Sequence, residues 1–403
     1  MAQQQATRRN FIGGMATALS IGGIAPALDA IAANTPQQNA PRATADGEER
    51  VPLDPKEYDA LAKLGNNENG WGPSAVVMKA MNDAWKYSMR YGYPDGGLVK
   101  AIADHHGLKQ ENVLLGAGSG EILKVVDDAL LQQHKKVIGV EPTFNSVYQY
   151  ATNSKAEAIK IPLLKDFRVD IPAIIRATKL NYRDVGFIYL CNPNNPTGNI
   201  IPKQEIKLLL DSIPADVPVL IDEAYHHFVT HPDYATSVPY ITEGRQVIIA
   251  RTFSKIAGLA GMRLGYGLAS KELIQRLRPF GGGSINAIVK HGGVAALKDK
   301  EYENKIRTMT IALRESTTKA LRDSGFEVLP SECNFFMVNL GRDITPVIEE
   351  FKKRGVAVGR KFPPMDKWLR VSIGTEPEMA KFLAVFKEVC PAIGLKAKAE
   401  SGS

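Results

Sequence analysis

The sequence predicts an α/β protein in which a large domain, built on a mostly parallel sheet between helices, is followed by a smaller α+β domain. Short apolar runs alternate with longer segments of helical periodicity, which is typical of strand–helix–strand units. Some runs are almost continuously apolar, as in Val217–Ile221 and Val247–Ala250, and strands buried on both faces have this composition. The run Gly281–Gly283 interrupts the alternation and marks a candidate domain boundary.

The large domain is predicted to alternate strands with helices. The apolar runs predict strands at Asn112–Leu115, Lys136–Val140, Val185–Leu190, Val217–Asp222 and Gln246–Arg251. Helical periodicity predicts helices at Gly120–Leu131, Asn145–Ser154 and Lys203–Ser212. Open α/β sheets carry their sites outside the carboxyl ends of the strands, so the residues that follow these strands are the first candidates for a functional site.

The segment after Gly281–Gly283 has the pattern of a separate, smaller domain. A long helical stretch is followed by short strands and a closing helix, at about Ile285–Ser324, Phe326–Val328, Asn334–Val338, Leu369–Ile373 and Glu376–Val389. The predicted organisation is therefore an export signal over 1–32, a flexible leader and N-terminal arm over 33–75, a large domain over 76–282 and a small domain over 283–398.

The N-terminal residues resemble a bacterial twin-arginine export signal. The paired Arg8 and Arg9 precede a modestly apolar, glycine-rich stretch, Phe11–Ala27, and Ala30–Ala32 is a plausible cleavage site. This order predicts a folded enzyme in the periplasm or outside the cell, with membrane contact during export only. An uncleaved membrane anchor is the alternative, although glycines make this stretch a poor span.

Composition excludes several other classes of protein. The chain has 403 residues, of which 44% are hydrophobic, and a net charge of +7 with its basic residues scattered, so nucleic-acid binding is not expected. Cys191, Cys333 and Cys390 are far apart and show no metal-ligand spacing. We therefore expect no metal site and three buried free thiols, with a single disulfide in an oxidising compartment as the alternative.

Lys255 is the most informative residue, because it follows an apolar strand within a loop of small and hydroxyl side chains. The loop reads Arg251–Arg263, and Arg263 follows the lysine by eight residues. Burial and a nearby cation both lower the pKa of an amine, which favours the neutral form that attacks a carbonyl. A lone lysine would mean little; its neighbours make it a candidate nucleophile.

Three further segments stand at predicted strand ends. Asp222 closes an apolar strand three residues before Tyr225, and the loop Cys191–Gly198 holds an asparagine in a turn rich in proline. Gly116–Glu121 is a glycine-rich turn that opens a helix, and its free N–H groups would bind phosphate. Nucleotide binding is the alternative interpretation of that turn. However, the turn lacks both the Gly-Lys-Ser/Thr end of a P-loop and the glycine spacing of a dinucleotide-binding fingerprint.

Together these segments resemble the fold-type I aminotransferases that depend on pyridoxal 5'-phosphate (PLP), class I/II. Their order along the chain is specific, and the resemblance runs from about Leu64 to Lys398. The resemblance is closer still to the histidinol-phosphate aminotransferase subfamily. Three segments are similar to segments of that group: Asn67–Pro73, Tyr93–Gly96 and Leu369–Thr375. The resemblance implies a PLP-transferase fold and a PLP cofactor.

The resemblance also implies roles for the matching residues at the cofactor ring. Lys255 would hold PLP as a Schiff base and carry protons during the reaction. Asp222 would pair with the pyridine nitrogen, while Asn195 and Tyr225 would hydrogen-bond the phenolic oxygen. Phe144 occupies the position at which the family stacks an aromatic side chain on the ring.

The resemblance further implies a phosphate site, a homodimer and a substrate side. The phosphate-site residues would be Ser119, Gly120, Thr252, Ser254 and Arg263. Tyr93 matches a residue that reaches the neighbouring subunit's cofactor, which implies a homodimer. Arg370 matches the arginine that binds the substrate carboxylate, and Arg360, Asn339 and Asn69 complete the expected substrate side. Asn339 stands where the subfamily usually has an arginine for the substrate phosphate. A free amino acid, aromatic or basic, is therefore expected as the substrate at least as much as histidinol phosphate.

The predicted function is an aminotransferase that exchanges an amino group between an amino acid and a 2-oxo acid by a ping-pong mechanism. A decarboxylase, racemase or oxidase on the same fold is the alternative, because one cofactor supports all of these reactions. A binding or regulatory module is a different class, and the combination of Lys255 with Asp222 argues against it.

Overall fold

The computed structural model describes residues 54–132 and 135–390, and its central feature is a seven-stranded sheet. The strands are β1 (Ala62–Leu64), β2 (Val113–Gly116), β3 (Lys136–Glu141), β4 (Ala158–Pro162), β5 (Val185–Cys191), β6 (Val219–Asp222), β7 (Val247–Thr252), β8 (Gly265–Leu268), β9 (Phe335–Asn339), β10 (Val356–Val358) and β11 (Trp368–Ser372). The α-helices are α1 (Pro55–Ala60), α2 (Ala75–Asp83), α3 (Leu98–His106), α4 (Ser119–Leu130), α5 (Ser146–Asn153), α6 (Ile171–Leu180), α7 (Lys203–Ser212), α8 (Pro239–Thr242), α9 (Lys271–Leu277), α10 (Ala287–Lys298), α11 (Lys300–Asp323), α12 (Thr345–Lys353) and α13 (Glu376–Val389).

The large sheet has the strand order β2-β8-β7-β6-β5-β3-β4, in which only β8 runs antiparallel to its neighbours. Alternate residues of β6 enter two separate apolar clusters, Val219 and Ile221 in one and Leu220 in the other. The sheet is therefore covered by apolar side chains on both faces, as the continuous apolar runs predict. Cys191, Asp222 and Ala250 lie side by side across β5, β6 and β7, so the loops after these strands meet at one edge.

Two small sheets form in the C-terminal part of the fold, one of antiparallel β9 and β11 and one in which β1, from the start of the described residues, runs parallel to β10. Their apolar side chains form a core with those of α12 and α13, including Phe336, Phe351 and Phe382. The predicted α/β class is thus confirmed, with a mostly parallel large sheet and a smaller α+β part. The domain boundaries themselves stay a prediction; Ile288 and Val289 of α10 pack into a core cluster of the large sheet.

The structure differs from the predicted elements in a few places. The predicted helix at Ile285–Ser324 is two helices, α10 and α11, which meet at Asp299; its side chain caps α11 by accepting a hydrogen bond from the Tyr302 N–H. The predicted strand at Phe326–Val328 is reduced to a single bridge between Val328 and Val338. β1 and β10 escape prediction because three residues are too few to show a period, and β8 escapes because two of its four residues are glycine.

The predicted export signal, with Arg8, Arg9 and the cleavage site, lies outside the described residues. Two compact units divide the chain at Asp59 and Ala60, and all the sheets belong to the second unit. Within the ranges 54–132 and 135–390, no helix combines the length and apolar character needed to cross a membrane.

Asp127 of α4 is buried without a partner. Its side chain is fully shielded from solvent, and neither carboxylate oxygen has a hydrogen-bond partner among the described residues. Burial raises the pKa of this carboxyl group to about 9, whereas an unfolded aspartate has a pKa near 4. The folded protein therefore binds a proton that the unfolded chain releases, and this group makes stability fall as pH rises from about 4 to about 9.

We expect Asp127→Asn to stabilise the protein at pH 8 by about 1–3 kcal/mol, because the amide, unlike the carboxyl group, needs no proton uptake on folding. The gain should shrink steadily as the pH falls towards 4, because the carboxyl group of the unfolded chain then becomes protonated as well. Urea unfolding between pH 4.5 and pH 8 measures both effects. Asp128→Asn, on the same helix beside Lys124, is the matched control, and parallel stability curves for wild type and Asp127→Asn would contradict the account.

Candidate active site

A cavity of about 260 Å³ opens where β5, β6 and β7 end. It is lined by nine residues that the sequence singles out: Ser119, Gly120, Phe144, Asp222, Tyr225, Thr252, Ser254, Lys255 and Arg263. They come from loops that are up to 144 residues apart in the chain (263 minus 119). The edge of the parallel sheet brings them together, which is the arrangement expected of an α/β active site.

Lys255 lies three residues beyond the end of β7, and its amine reaches into the cavity. The Nζ atom donates a hydrogen bond to the Asn66 carbonyl oxygen at 3.2 Å and lies 5.6 Å from the centre of the Tyr225 ring. Burial and, to a smaller extent, the nearby Arg370 cation lower the pKa of this amine to about 8. A substantial fraction of Lys255 is therefore neutral near physiological pH, the form that attacks an aldehyde.

The pKa of Lys255 sets an expected pH dependence for loading the cofactor. The rate at which the cofactor-free protein binds PLP covalently should rise with pH and level off above about pH 8, because only the neutral amine reacts. Stopped-flow absorbance of the bound cofactor measures this rate. A rate that keeps rising to pH 10, as an ordinary lysine would give, would contradict the buried environment.

Asp222 is the last residue of β6 and is almost fully buried. Burial raises the pKa of its carboxyl group to about 7, while the Ala224 N–H, which donates to Oδ1 at 3.1 Å, and the Lys255 cation act in the opposite direction. A carboxyl group poised in this way gains most from a cationic partner, which restores its ionised form. A protonated ring nitrogen would be such a partner.

The Tyr225 hydroxyl is surrounded by amide donors. Asn195 Nδ2 and Asn67 Nδ2 donate to its oxygen at 3.3 and 3.0 Å. Since the oxygen accepts from both, its own proton is free to donate to an acceptor in the cavity. Asn195, whose contact with a cofactor was predicted, lies behind Tyr225 rather than among the residues that line the cavity.

Asn67 is a site residue that sequence reasoning missed. The residue is buried, and its backbone is in the left-handed region, with a φ of 55°. Its N–H donates a hydrogen bond to the Ser372 Oγ, and its Oδ1 accepts one from the same hydroxyl, each at 2.8 Å. Asn67 thus links β11 to Tyr225. The segment Asn67–Pro73 resembles the subfamily and points to this region, but the prediction takes Asn69 from it and not Asn67.

The phosphate turn of Gly116–Gly120 is packed against Arg263 and β8. Arg263 Nη2 donates to the Ala117 carbonyl at 3.0 Å, and Nη1 approaches the Ser254 Oγ at 3.4 Å. A Cβ on Gly118 would lie 2.1 Å from Arg263 Nη2, and one on Gly265 would lie 2.4 Å from the Ser119 nitrogen, so both glycines permit the close approach. The N–H groups of Ser119 and Gly120, at the start of α4, remain within the cavity wall.

Arg370 lies on β11 at the far side of Asn195. Its Nη1 donates to Asn195 Oδ1 at 2.7 Å and its Nη2 to the Gly65 carbonyl at 2.5 Å, while Nε has no hydrogen-bond partner among the described residues. The guanidinium carbon lies 5.4 and 4.6 Å from the ring centres of Phe335 and Phe362. Burial lowers the pKa of Arg370 to about 10, which leaves it cationic at neutral pH.

The other predicted substrate and subunit contacts lie outside the cavity wall. Asn69 uses its Nδ2 on the Ile256 carbonyl at 3.0 Å, and Asn339 donates to Glu327 Oε2 at 2.9 Å. The Arg360 guanidinium lies 4.3 Å from the Phe362 ring centre and contacts Asn145. The Tyr93 hydroxyl donates to the Ile285 carbonyl at 2.7 Å. None of these four residues, Asn69, Asn339, Arg360 and Tyr93, lines the cavity itself. Asn69 nevertheless binds the residue that follows Lys255, and Arg360 packs on the same Phe362 ring as Arg370, so the roles of the four residues stay predictions.

The donor set of the cavity suits PLP. Two backbone N–H groups at a helix start, two hydroxyls and a guanidinium suit a phosphate, and Asp222 suits a pyridinium. The neutral amine of Lys255 can form a Schiff base with the aldehyde of the cofactor. Among the described residues no cluster of three His, Cys, Asp or Glu could hold a metal ion, and Cys191, Cys333 and Cys390 are buried and unpaired.

The fold and the cavity define a PLP-dependent enzyme of the aminotransferase type. The family model "Aminotransferase class I and II" matches residues 60–386, and the chain belongs to this family. Among curated relatives, the histidinol-phosphate aminotransferase of Moorella thermoacetica is 36% identical over 340 residues, which cover 82% of this chain and 85% of the relative. Histidinol-phosphate aminotransferase 2 of Carboxydothermus hydrogenoformans is 36% identical over 339 residues, with 82% and 91% coverage.

Solved structures agree with this assignment. A histidinol-phosphate aminotransferase from Sinorhizobium meliloti, in complex with pyridoxal-5'-phosphate, superposes with a TM-score of 0.75 at 25% identity, covering 84% of this chain and 95% of that one. The protein is therefore a transaminase of amino acids with PLP as its cofactor.

Proposed function

We propose that this aminotransferase acts on free α-amino acids, with a preference for basic side chains, and passes the amino group to a 2-oxo acid in a ping-pong reaction. The observation that supports it best is the convergence of Lys255, Asp222 and Tyr225 on one cavity, with the Arg370 cation joined to it through Asn195.

The chain's own residues account for the steps of the reaction. Bound PLP supplies an electron sink that acidifies the substrate Cα–H. Lys255 would then move the proton to and from Cα, since its amine faces the cavity and is partly neutral. Asp222 would keep the proton on the pyridine nitrogen, and Tyr225 would donate its free proton to the phenolic oxygen. Ser119, Gly120, Thr252, Ser254 and Arg263 would hold the phosphate.

Arg370 supports a substrate with an α-carboxylate. A guanidinium forks onto a carboxylate with two parallel hydrogen bonds, and Phe335 and Phe362 wall it against solvent. Two observations disfavour a phosphate at the far end of the substrate. Asn339 is a neutral amide engaged by Glu327, and a second carboxylate, that of Glu68, lines the cavity near Lys255.

The same Glu68 carboxylate favours a basic substrate side chain, because an opposite charge in a partly buried cavity stabilises a bound ammonium or imidazolium group. Histidinol phosphate, the substrate class in the names of the relatives, is the second candidate. The two differ in the sign of the distal group, so one panel of substrates separates them.

A homodimer is supported by an exposed apolar surface near Tyr93. Large apolar side chains lie at the surface of α2 and the segment that follows it: Val76, Met78, Trp85, Met89 and Tyr91. Such a patch is typical of a protein interface. Tyr93 would extend from it towards the partner's cofactor. Export by the twin-arginine route, as a protein folded in the cytoplasm, rests on the sequence of residues 1–32 alone.

The substrate proposal is tested by mixing the full-length, PLP-loaded protein with matched amines and following the visible absorbance of the bound cofactor. Lysine and norleucine differ mainly in the terminal charge, so lysine should react faster, and Glu68→Gln should abolish the difference. Adding a 2-oxo acid should restore the absorbance. Faster reaction with histidinol phosphate than with any free amino acid would overturn the proposal.

A further inference from the structure

We infer that Glu121 is a positioning residue for the phosphate of the cofactor: its carboxylate clamps the phosphate turn and ties it to the glycine segment Gly281–Gly283. This inference rests on the phosphate role proposed above for Ser119 and Gly120. Glu121 itself does not line the cavity. It acts through the backbone of the turn.

The clamp consists of two short hydrogen bonds to one carboxylate. The Ala117 N–H donates to Glu121 Oε2 at 2.5 Å, and the Gly282 N–H donates to Oε1 at 2.6 Å. The two donors are separated by 165 residues (282 minus 117) and come from different segments. Hydrogen bonds to an ionised acceptor are stronger than neutral ones, so this carboxylate is a firm bridge.

The Ala117 peptide is held from both sides. Its N–H is bound by Glu121, and the carbonyl of the same residue accepts from Arg263 Nη2 at 3.0 Å. Next to it, the Gly118 N–H donates to the Gly116 carbonyl at 2.8 Å, and a φ of 79° turns the chain into α4. The N–H groups of Ala117 and Gly118 are therefore already bound to acceptors within the protein. The N–H groups of Ser119 and Gly120 are the next along the chain, and N–H groups at the start of a helix are the ones that bind a phosphate.

Gly282 shows that the contact leaves no room for a side chain. A Cβ on Gly282 would lie 2.2 Å from Glu121 Oε1, although its backbone conformation would accept alanine. A side chain at this position would therefore have to displace the Glu121 carboxylate, while the backbone itself would tolerate it. This makes Gly282→Ala a second, independent way to disturb the clamp.

If the negative charge of Glu121 were its only influence, Glu121 would weaken PLP binding and not strengthen it. A carboxylate in the first turn of α4 repels a phosphate at the same helix end, so removing it would tighten PLP binding if it had no positioning role. The clamp predicts weaker binding instead. The sign of the change therefore decides between the two.

The test measures the dissociation constants of PLP and of pyridoxal, which lacks the phosphate, for the cofactor-free full-length protein by absorbance titration. Glu121→Ala should weaken PLP binding about 10- to 100-fold, as expected for the loss of hydrogen bonds to a charged group, and leave pyridoxal binding within about 2-fold. Gly282→Ala should act in the same direction in wild type and have little further effect in Glu121→Ala, because its clash partner is gone.

Two controls separate the possible failures. Asp128→Ala, on the same helix, should leave both constants unchanged. Arg263→Ala should lower the preference for PLP over pyridoxal if the proposed phosphate site is right. An effect of Arg263→Ala together with unchanged or tighter PLP binding by Glu121→Ala overturns the clamp alone. No effect of either variant overturns the phosphate site, and the clamp with it.

Discussion

Lys255→Ala should abolish transamination, with kcat/KM falling by about 10⁴-fold or more. The variant removes both the amine that binds the cofactor covalently and the base that moves the Cα proton, and general acid–base catalysis alone contributes about 10²- to 10⁴-fold. The fold should be unaffected, because the described hydrogen bond of the Lys255 amine is one contact with the Asn66 carbonyl. Steady-state kinetics with an amino acid and a 2-oxo acid measure the loss.

The matched control for this variant is Lys100→Ala, which removes an exposed lysine from a surface ion pair with Asp104. Lys255→Arg is a further control, since it keeps the positive charge and loses the reactive amine. Both Lys255 variants should lack the visible absorbance of the lysine-bound cofactor. Lys255→Ala with activity within 10-fold of wild type would contradict the assigned role.

Arg370→Lys is expected to lower kcat/KM for amino acids by about 10²- to 10³-fold. Lysine keeps the charge but cannot form the two parallel bonds to a carboxylate, and it leaves Asn195 Oδ1 or the Gly65 carbonyl without its donor. Loss of one partner from a buried charged hydrogen bond costs about 2–5 kcal/mol. Because the carboxylate is bound in the ground state as well as in the transition state, KM should carry most of the effect.

The corresponding amine, which lacks the carboxylate, separates substrate binding from structural damage. Wild type and Arg370→Lys should process the amine at similar rates, and the cofactor absorbance of the two should match. Arg354→Lys, at an exposed arginine paired with Glu350, controls for the substitution itself. An equal loss with amino acid and amine would show that Arg370 supports the fold and not the carboxylate.

The sequence predicted which residues gather around Lys255, because most of them lie just after a strand of the large sheet. Asp222 closes β6, and Lys255 follows β7 after three residues. In a parallel sheet the ends of adjacent strands meet at one edge, so an order of motifs along the chain becomes a cluster in space. Most of the nine predicted residues that line the cavity follow from this rule.

The substrate half could not be predicted in the same way, because it depends on how irregular loops turn. Asn67 reaches Tyr225 only because its backbone is left-handed, a conformation that asparagine adopts more readily than most residues but that spacing does not reveal. Asn69 and Asn339 were chosen by position, and their side chains bind Ile256 and Glu327 instead. In the sequence, Glu121 belongs to a glycine-rich turn. Its hydrogen bond with the Gly282 N–H joins segments that are far apart in the chain, so spacing alone does not reveal it.

The electrostatics of the site are equally a product of burial. Lys255 has a pKa of about 8 and Asp222 one of about 7, both shifted mainly by desolvation. Each group is therefore near the point at which it changes charge at physiological pH. A cofactor that brings a cationic nitrogen to Asp222 and an aldehyde to Lys255 relieves both penalties at once.

The most direct test is to reduce the PLP-loaded protein with borohydride and map the modified peptide by mass spectrometry. Reduction makes the bond between a lysine and the cofactor permanent, so the account predicts the cofactor mass on Lys255 and on no other lysine. Modification of a different lysine, or none while the visible absorbance is present, would contradict the central claim that this cavity holds PLP through Lys255.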